Sequence, residues 1–301
     1  MRPFSGVNVA AVTPHSKRAD EPDIGATLEL IDFLCAAGVQ GIALLGSTGE
    51  FVNFKLDDRV RLMYLAMKRS RVPVMAGVSH PTLDGAIALA REASSAGAAG
   101  LLLMPPYFYR YAQPEIREFY LRFLAEAGHV APVYLYNMPA FSNAIAIETA
   151  VALLSTGRFA GIKDSGGDWN YFEALNGMAQ RESITVLLGR EGIYARARQQ
   201  GADGLVSGVA SAAPELLVSL DRAVQQGAAE EVARLDARLN ELLGRLERLP
   251  FPVGIQAALA VRGVKTGPLR TPLAPETLAV LEEFKEWFRG WLTAPSSSGP
   301  R

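Results

Sequence analysis

Lys163 stands at the end of a short apolar run, Phe159-Ala160-Gly161-Ile162, and a polar, glycine-bearing turn, Asp164-Ser165-Gly166, follows it at once. Such a run reads as a buried strand whose last side chain is carried to its C-terminal mouth. Lysine is seldom buried without a reason. Held away from water it releases its proton more readily, and the free amine attacks a ketone to form a Schiff base. The structural alternative is a lysine that snorkels to solvent or pairs with Asp164. Tyr136 closes a second run, Pro132-Val133-Tyr134-Leu135. A phenol beside an amine passes protons during imine formation and bond cleavage, although tyrosine at a strand end also serves packing alone. Gly46-Ser47-Thr48-Gly49-Glu50 brings two hydroxyls and a series of backbone N–H groups that suit an anion, most simply a carboxylate. Read alone it is a capped, glycine-rich turn. It lacks the lysine of a phosphate-binding Walker loop.

These residues need a frame that gathers them. Apolar runs over residues 7–13, 41–46, 72–78, 100–106, 132–137, 159–164, 184–189 and 204–208 alternate with helical stretches. Ile24, Leu28, Ile31 and Cys35 recur at helical spacing before Gly38. Val60, Met63 and Met67 mark a second apolar face, with Asp57 as its expected N-cap. Three helix ends share one punctuation, Gly38-Val39-Gln40-Gly41, Gly97-Ala98-Ala99-Gly100 and Gly201-Ala202-Asp203-Gly204. The first glycine suits a left-handed C-cap and the second a tight turn into the next strand. Repeated helix–glycine–strand joints imply parallel strands with right-handed crossovers, and eight units predict an α/β fold of the (β/α)8 TIM-barrel type.

The barrel is expected over residues 1–212, with closing and C-terminal helices over 213–293 and a disordered tail over 294–301. Val232, Leu235, Leu239, Leu242 and Leu246 form one stripe in the C-terminal helices, fit either for core packing or for an oligomer face. The strand ends then gather Thr13, Ser47 and Thr48, Ser79 and His80, Tyr107, Tyr136 and Asn137, Lys163, Arg190 and Glu191, and Ser207 at one mouth, where such barrels carry their active sites. His80, ahead of Pro81 with no partner in sequence, reads as a loop residue rather than a base.

Composition narrows the classes. Thirty basic and 31 acidic residues give a formal net charge of −1, and no basic cluster with interleaved aromatics argues for nucleic acid. No apolar stretch is long enough to span a bilayer, and the first residues lack a signal-peptide pattern. The single Cys35 excludes an internal disulfide, and the three histidines, His15, His80 and His129, lack metal-ligand spacing. A cytoplasmic protein without metal or membrane partner is expected.

Gly46-Ser47-Thr48-Gly49-Glu50, Tyr136-Asn137-Met138-Pro139 and Gly161-Ile162-Lys163-Asp164-Ser165, in this order, resemble the signatures of the Schiff-base pyruvate aldolases. That family includes dihydrodipicolinate synthase, N-acetylneuraminate lyase and the 2-keto-3-deoxy sugar-acid aldolases. The resemblance runs from Val9-Ala10-Ala11-Val12-Thr13-Pro14 to the helical C-terminus. It implies Lys163 as the imine-forming lysine, with no cofactor beyond that covalent link, and Tyr136 as the proton-shuttling phenol. Ser47 and Thr48 match the hydroxyls that hold the 2-oxo acid carboxylate, and Val206 matches the residue whose carbonyl faces the lysine. A homotetramer is also implied.

Two positions depart from the dihydrodipicolinate synthase pattern. Phe141 stands where that enzyme carries an arginine for its second substrate, and Phe108 stands where it carries the second of two adjacent tyrosines, a proton relay. Loss of a bidentate carboxylate ligand and a relay phenol argues against lysine biosynthesis and for a more apolar mouth. Tyr107, expected on the substrate, and Tyr109 are the neighbouring phenols, and the sequence does not decide whether either replaces the missing hydroxyl. After the seventh strand, Glu191 is expected on substrate hydroxyls and Arg190 on a distal carboxylate, unless the two form a solvated ion pair.

The expected activity is cleavage or formation of 2-keto-3-deoxy sugar acids or other 4-hydroxy-2-oxo acids, giving pyruvate and an aldehyde. Dihydrodipicolinate synthase and a dehydratase acting through the same imine are the alternatives within this chemistry. A 2-oxo acid binding module without turnover, and a phosphosugar barrel using residues 204–208, are the alternatives outside it.

Overall fold

The computed structural model describes residues 4–17 and 21–293. Among these, eight strands form a closed parallel barrel in sequence order: β1 (Gly6–Ala10), β2 (Gly41–Leu44), β3 (Val74–Gly77), β4 (Gly100–Leu103), β5 (Val133–Asn137), β6 (Gly161–Asp164), β7 (Thr185–Leu188) and β8 (Gly204–Ser207), with β8 pairing back onto β1. The crossovers are α1 (Ile24–Ala36), α2 (Leu56–Arg69), α3 (Leu83–Ser95), α4 (Gln113–Ala127), α5 (Ile147–Leu154), α6 (Trp169–Ala179) and α7 (Tyr194–Gln199). After β8 come the short α8 (Val209–Ala212) and then α9 (Pro214–Gln225), α10 (Ala229–Leu246), α11 (Val253–Val261) and α12 (Pro275–Thr293). The expected TIM barrel with a C-terminal helical appendage is therefore present. The expectation for residues 294–301 falls outside the described residues.

Every strand residue is buried, as it must be when one face meets the barrel interior and the other a helix. The strands occupy only part of each apolar run: β1 ends at Ala10, and the rest of 7–13 is buried loop leading to the mouth. At the opposite end Phe4 meets Tyr134 edge-on at 5.7 Å, and Asn8 Nδ2 donates to the carbonyls of Phe4 and Leu205. A Cβ on Gly41 would fall 2.3 Å from Asn8 Oδ1, so this plug requires a residue without a side chain there.

Gly38, Gly97 and Gly201 all have φ between 81° and 103°, the left-handed turn that ends a helix before the next strand. Two helix readings shift. The buried face of α1 is Thr27, Leu30, Ile31 and Leu34, so Ile24, Leu28 and Cys35 flank it. In α2 the N-cap is Lys55, Asp57 lies in the first turn, and the buried face includes Arg59 with Leu62, Met63 and Ala66. The carboxylate of Asp57 serves the N-terminal dipole there instead of capping a single N–H. In α10, Val232, Leu235, Leu239 and Leu242 are buried within the chain itself, so these four are core packing, while Leu246, the last of the stripe, is half-buried. An aromatic ladder on α12, Phe284, Phe288 and Trp291, closes the appendage.

Candidate active site

Lys163 and Tyr136 are direct cross-strand partners on β6 and β5. Both are buried, at 4% and 1% exposure, and the Lys163 Nζ lies 4.2 Å from the centroid of the Tyr136 ring. Tyr136 Oη shares a 2.9 Å hydrogen bond with Ser47 Oγ, which arrives from the loop after β2. Three elements thus bring an amine, a phenol and a hydroxyl to one point.

The backbone supports this placement. Leu45 and Glu50 bracket Ser47 and Thr48 with φ of 56° and 49°, conformations that side chains with a Cβ avoid. Glu50 is held there from three sides: its Oε2 accepts from His15 at 2.8 Å and from Gln256 at 2.5 Å, and its Oε1 accepts from Asn53 at 3.3 Å. Arg270 Nε donates to His15 Nδ1 at 2.6 Å. A guanidinium can only donate, so His15 Nδ1 accepts and its Nε2 carries the proton given to Glu50. Beside Lys163, Asn137 Nδ2 donates to Asp164 at 2.7 Å, and Asn137 Oδ1 accepts from Ile145 N–H. Burial holds the Asp164 carboxyl above the ordinary carboxylate value, against the pull of Asn137 and the turn N–H groups. Asp164 is thus engaged away from Lys163.

Gly189, at the end of β7, leaves room for the lysine. A Cβ at that position would lie 3.0 Å from Lys163 Cε and 2.0 Å from Ser165 Oγ. Gly208 does the same for the hydroxyl pair, since its Cβ would meet Thr48 Oγ1 at 2.9 Å.

Ser47, Thr48, Tyr136, Lys163, Val206 and Glu191 line one cavity of about 360 Å³. Glu191 turns one oxygen toward Ser207 Oγ at 2.6 Å and Val209 N at 3.4 Å, and no ion pair joins it to Arg190 among the described residues. Tyr107 stands apart: it lines an adjoining space of about 260 Å³ with Glu50, Phe51 and Met104. There Phe51 packs edge-on at 5.7 Å, and burial raises the phenol while Arg59 pulls it down. Phe141, Phe251, Pro252 and Ser47 border both spaces.

The expectation that both phenylalanines form an apolar mouth holds for Phe141 alone. Phe108, at 84% exposure and φ of 80°, packs edge-on against Tyr109 and lines neither cavity. His80 hydrogen-bonds locally to Thr82, and burial followed by nearby Arg59 lowers its pKa. No group of three or more His, Cys, Asp or Glu side chains among the described residues is arranged to hold a metal.

The periodicity of the chain carries no sign of Arg59. It is buried, donates through Nη2 to the carbonyls of Gly77 and Ser79 at 3.1 Å, and lies 4.9 Å from the Phe51 ring. Burial brings its pKa down to about 10. The outer cavity wall from α10 to α11, including Leu243, Leu246 and Ile255, has no mark of its own in the sequence either, because it is built from the same apolar residue types as the core.

A closed (β/α)8 barrel with a buried lysine, a phenol and a hydroxyl loop at its C-terminal mouth has the form of an enzyme of this architecture. The family model for the dihydrodipicolinate synthetase family matches residues 3–289, and the chain belongs to that family of lyases. A 4-hydroxy-tetrahydrodipicolinate synthase from Methanosphaerula palustris is 31% identical over 93% of this chain and 98% of its own length. A DapA-like lyase from Halobacterium salinarum is 34% identical over 85% of this chain and 84% of its own. Among solved structures, the 4-hydroxy-tetrahydrodipicolinate synthase of Methylacidiphilum fumariolicum SolV superposes with a TM-score of 0.86 at 26% identity, covering 96% of this chain and 97% of that one. No helix among the described residues is long and apolar enough to cross a membrane.

Proposed function

We propose that this chain is a class I lyase in which the Lys163 amine forms an imine with pyruvate or a related 2-oxo acid, and that it makes or breaks the C3–C4 bond of 4-hydroxy-2-oxo acids, the class that contains the 2-keto-3-deoxy sugar acids. The observation that carries this reading is the buried Lys163 Nζ beside the Tyr136 ring, with the Tyr136 hydroxyl tied to Ser47. In the cleavage direction the protonated imine withdraws the electrons of the breaking bond, leaving an enamine that is stabilised by conjugation. Tyr136 takes the proton from the 4-hydroxyl and later returns one to C3. Water then hydrolyses the imine and regenerates the amine. Ser47 and Thr48 hold the carboxylate, Val206 bounds the pocket behind the lysine, Glu191 contacts the departing aldehyde, and Tyr107 faces substrate only from the adjoining space. The only covalent carrier in this scheme is Lys163.

The names of several relatives support a second reading, condensation of pyruvate with aspartate semialdehyde. Phe141 weighs against it, because an exposed phenyl ring offers a second carboxylate no charged or hydrogen-bonding partner. We further propose that the chain works as a homotetramer; light scattering on the purified protein checks this.

The deciding experiment is borohydride reduction in the presence of pyruvate, with intact mass and peptide mapping and Lys163→Ala as control. A pyruvyl group trapped on Lys163 is the expected result. A folded protein that pyruvate and other 2-oxo acids leave unlabelled removes the reading.

A further inference from the structure

The cavity around Lys163 is not uniform. Its inner part carries the lysine, Tyr136, Ser47 and Thr48, all within reach of a bound 2-oxo acid. Its outer part is walled by Met138, Phe141, Leu243, Leu246, Phe251 and Ile255. The rings of Phe141 and Phe251 lie 5.8 Å apart at a tilt of 32°, and each remains about half exposed, at 51% and 48%. They form a flat apolar ledge at the mouth with ring surface still uncovered. The polar groups on this outer part are few. Glu191 spends one oxygen on Ser207 and Val209 and, among the described residues, has the other uncommitted, and the exposed Arg190 lays its stem over Gly167. Glu247 completes the set.

Chemistry decides which portion of the substrate meets this wall. The carboxylate and C2 are fixed at the lysine, so whatever lies beyond C4 points outward. A polyhydroxylated chain would bring more hydroxyls to this wall than Glu191 can meet, and each one left against leucine and phenylalanine loses water without gaining a partner, at about a tenfold loss in binding apiece. An aryl group loses nothing polar and gains stacking against the two rings.

Resting on the imine reading above, we propose that the second reactant is an apolar aldehyde, with an aromatic ring laid against Phe141 and Phe251. The enamine C3 attacks the aldehyde carbon and forms the C3–C4 bond. The aldehyde oxygen takes a proton to become the 4-hydroxyl, and water releases the 4-aryl-4-hydroxy-2-oxo acid from Lys163. The C3 proton given up on enamine formation balances the one taken by the oxygen, and the water lost on imine formation is returned on hydrolysis.

The test combines the enzyme with pyruvate and one aldehyde at a time, benzaldehyde or D-glyceraldehyde, and follows the 4-hydroxy-2-oxo acid by chromatography and mass. The same preparation is assayed for the borohydride-trapped pyruvyl group on Lys163. Benzaldehyde is expected to exceed D-glyceraldehyde in kcat/KM by at least about tenfold, the cost of the one hydroxyl that Glu191 does not meet. Phe141→Arg, at a half-exposed position, is expected to lower that ratio at least about tenfold and to raise turnover of succinic semialdehyde. A pyruvyl label on Lys163 with D-glyceraldehyde equal to or better than benzaldehyde, or with no product from benzaldehyde, overturns the aldehyde assignment and leaves the imine standing. Absence of the label from folded enzyme removes the imine reading and the assignment with it.

Discussion

Tyr136 on β5 and Ser47 on the loop after β2 share a 2.9 Å hydrogen bond across the barrel mouth. The bond ties a phenol lying against the lysine to the loop that carries the Ser47 and Thr48 hydroxyls, so in the proposed scheme proton transfer and carboxylate binding would meet at one contact. Tyr136→Phe keeps the ring against Lys163 and removes only the hydroxyl. The expected outcome is a fall in kcat of about 10²–10⁴-fold, the usual contribution of a positioned proton donor. The pyruvyl adduct should still be trappable on Lys163. Stopped turnover with intact labelling checks this, and a variant that turns over normally would remove Tyr136 from the proton path.

Gly189 makes the position of the lysine testable from outside the reacting groups. A methyl group there would sit 3.0 Å from Lys163 Cε and 2.0 Å from Ser165 Oγ, so one of the two must move. Gly189→Ala is expected to slow pyruvate trapping on Lys163 at least about tenfold, the scale of loss for a misplaced reacting atom. Gly177 serves as a control, because a Cβ there meets nothing within 4 Å and the residue lies inside α6. Gly177→Ala should leave trapping unchanged and stabilise the protein by about 0.5–1 kcal/mol. Equal trapping rates in the two variants would show that Gly189 does not set the lysine.

Much of this was open to reading from the residue order. The eight apolar runs, the glycine punctuation at Gly38, Gly97 and Gly201, and the end-of-strand positions of Tyr136 and Lys163 all follow local rules, since strand burial and helix capping act over a few residues. What stayed hidden depends on distance through space. The Gln256–Glu50 bond spans 206 residues and the Arg270–His15 bond 255, and no local pattern announces either. Arg59 occupies a buried face that periodicity assigns to apolar residues, because two backbone carbonyls and a ring receive it. Phe108 adjoins Tyr107 in sequence, yet a positive φ turns the chain there and leaves its ring outside both cavities.

The Glu50 network predicts a linked loss of stability and substrate binding. Glu50→Ala leaves His15, Gln256 and Asn53 without their shared acceptor and releases the strained turn that presents Ser47 and Thr48. Each buried donor left unpaired costs about 1–3 kcal/mol, so a drop in Tm of several degrees is expected. KM for pyruvate should rise more than kcat falls, since in the proposed scheme the loop binds the carboxylate while Lys163 and Tyr136 stay in place. Calorimetry with steady-state kinetics checks both, and a variant with lowered Tm and unchanged KM would make the network purely structural.

Asp164 gives the pH dependence its sign. Burial holds its folded-state pKa above the ordinary value of 3.8, with the Asn137 and turn hydrogen bonds only partly offsetting that effect. A carboxyl raised in the folded state binds its proton more tightly there than in the unfolded chain. Its contribution is therefore fully present below the unfolded value and is lost as pH rises through the folded one. Asp164→Asn removes the titration while keeping an oxygen for Asn137 Nδ2. The difference in Tm, wild type minus variant, should fall as pH rises from below about 3.8 through the window above it, and then level off. Subtracting the variant cancels the other carboxylates, which titrate in both proteins. A difference that stays flat across this window, or that grows with pH, would mean that Asp164 is ionised in the folded protein at no cost.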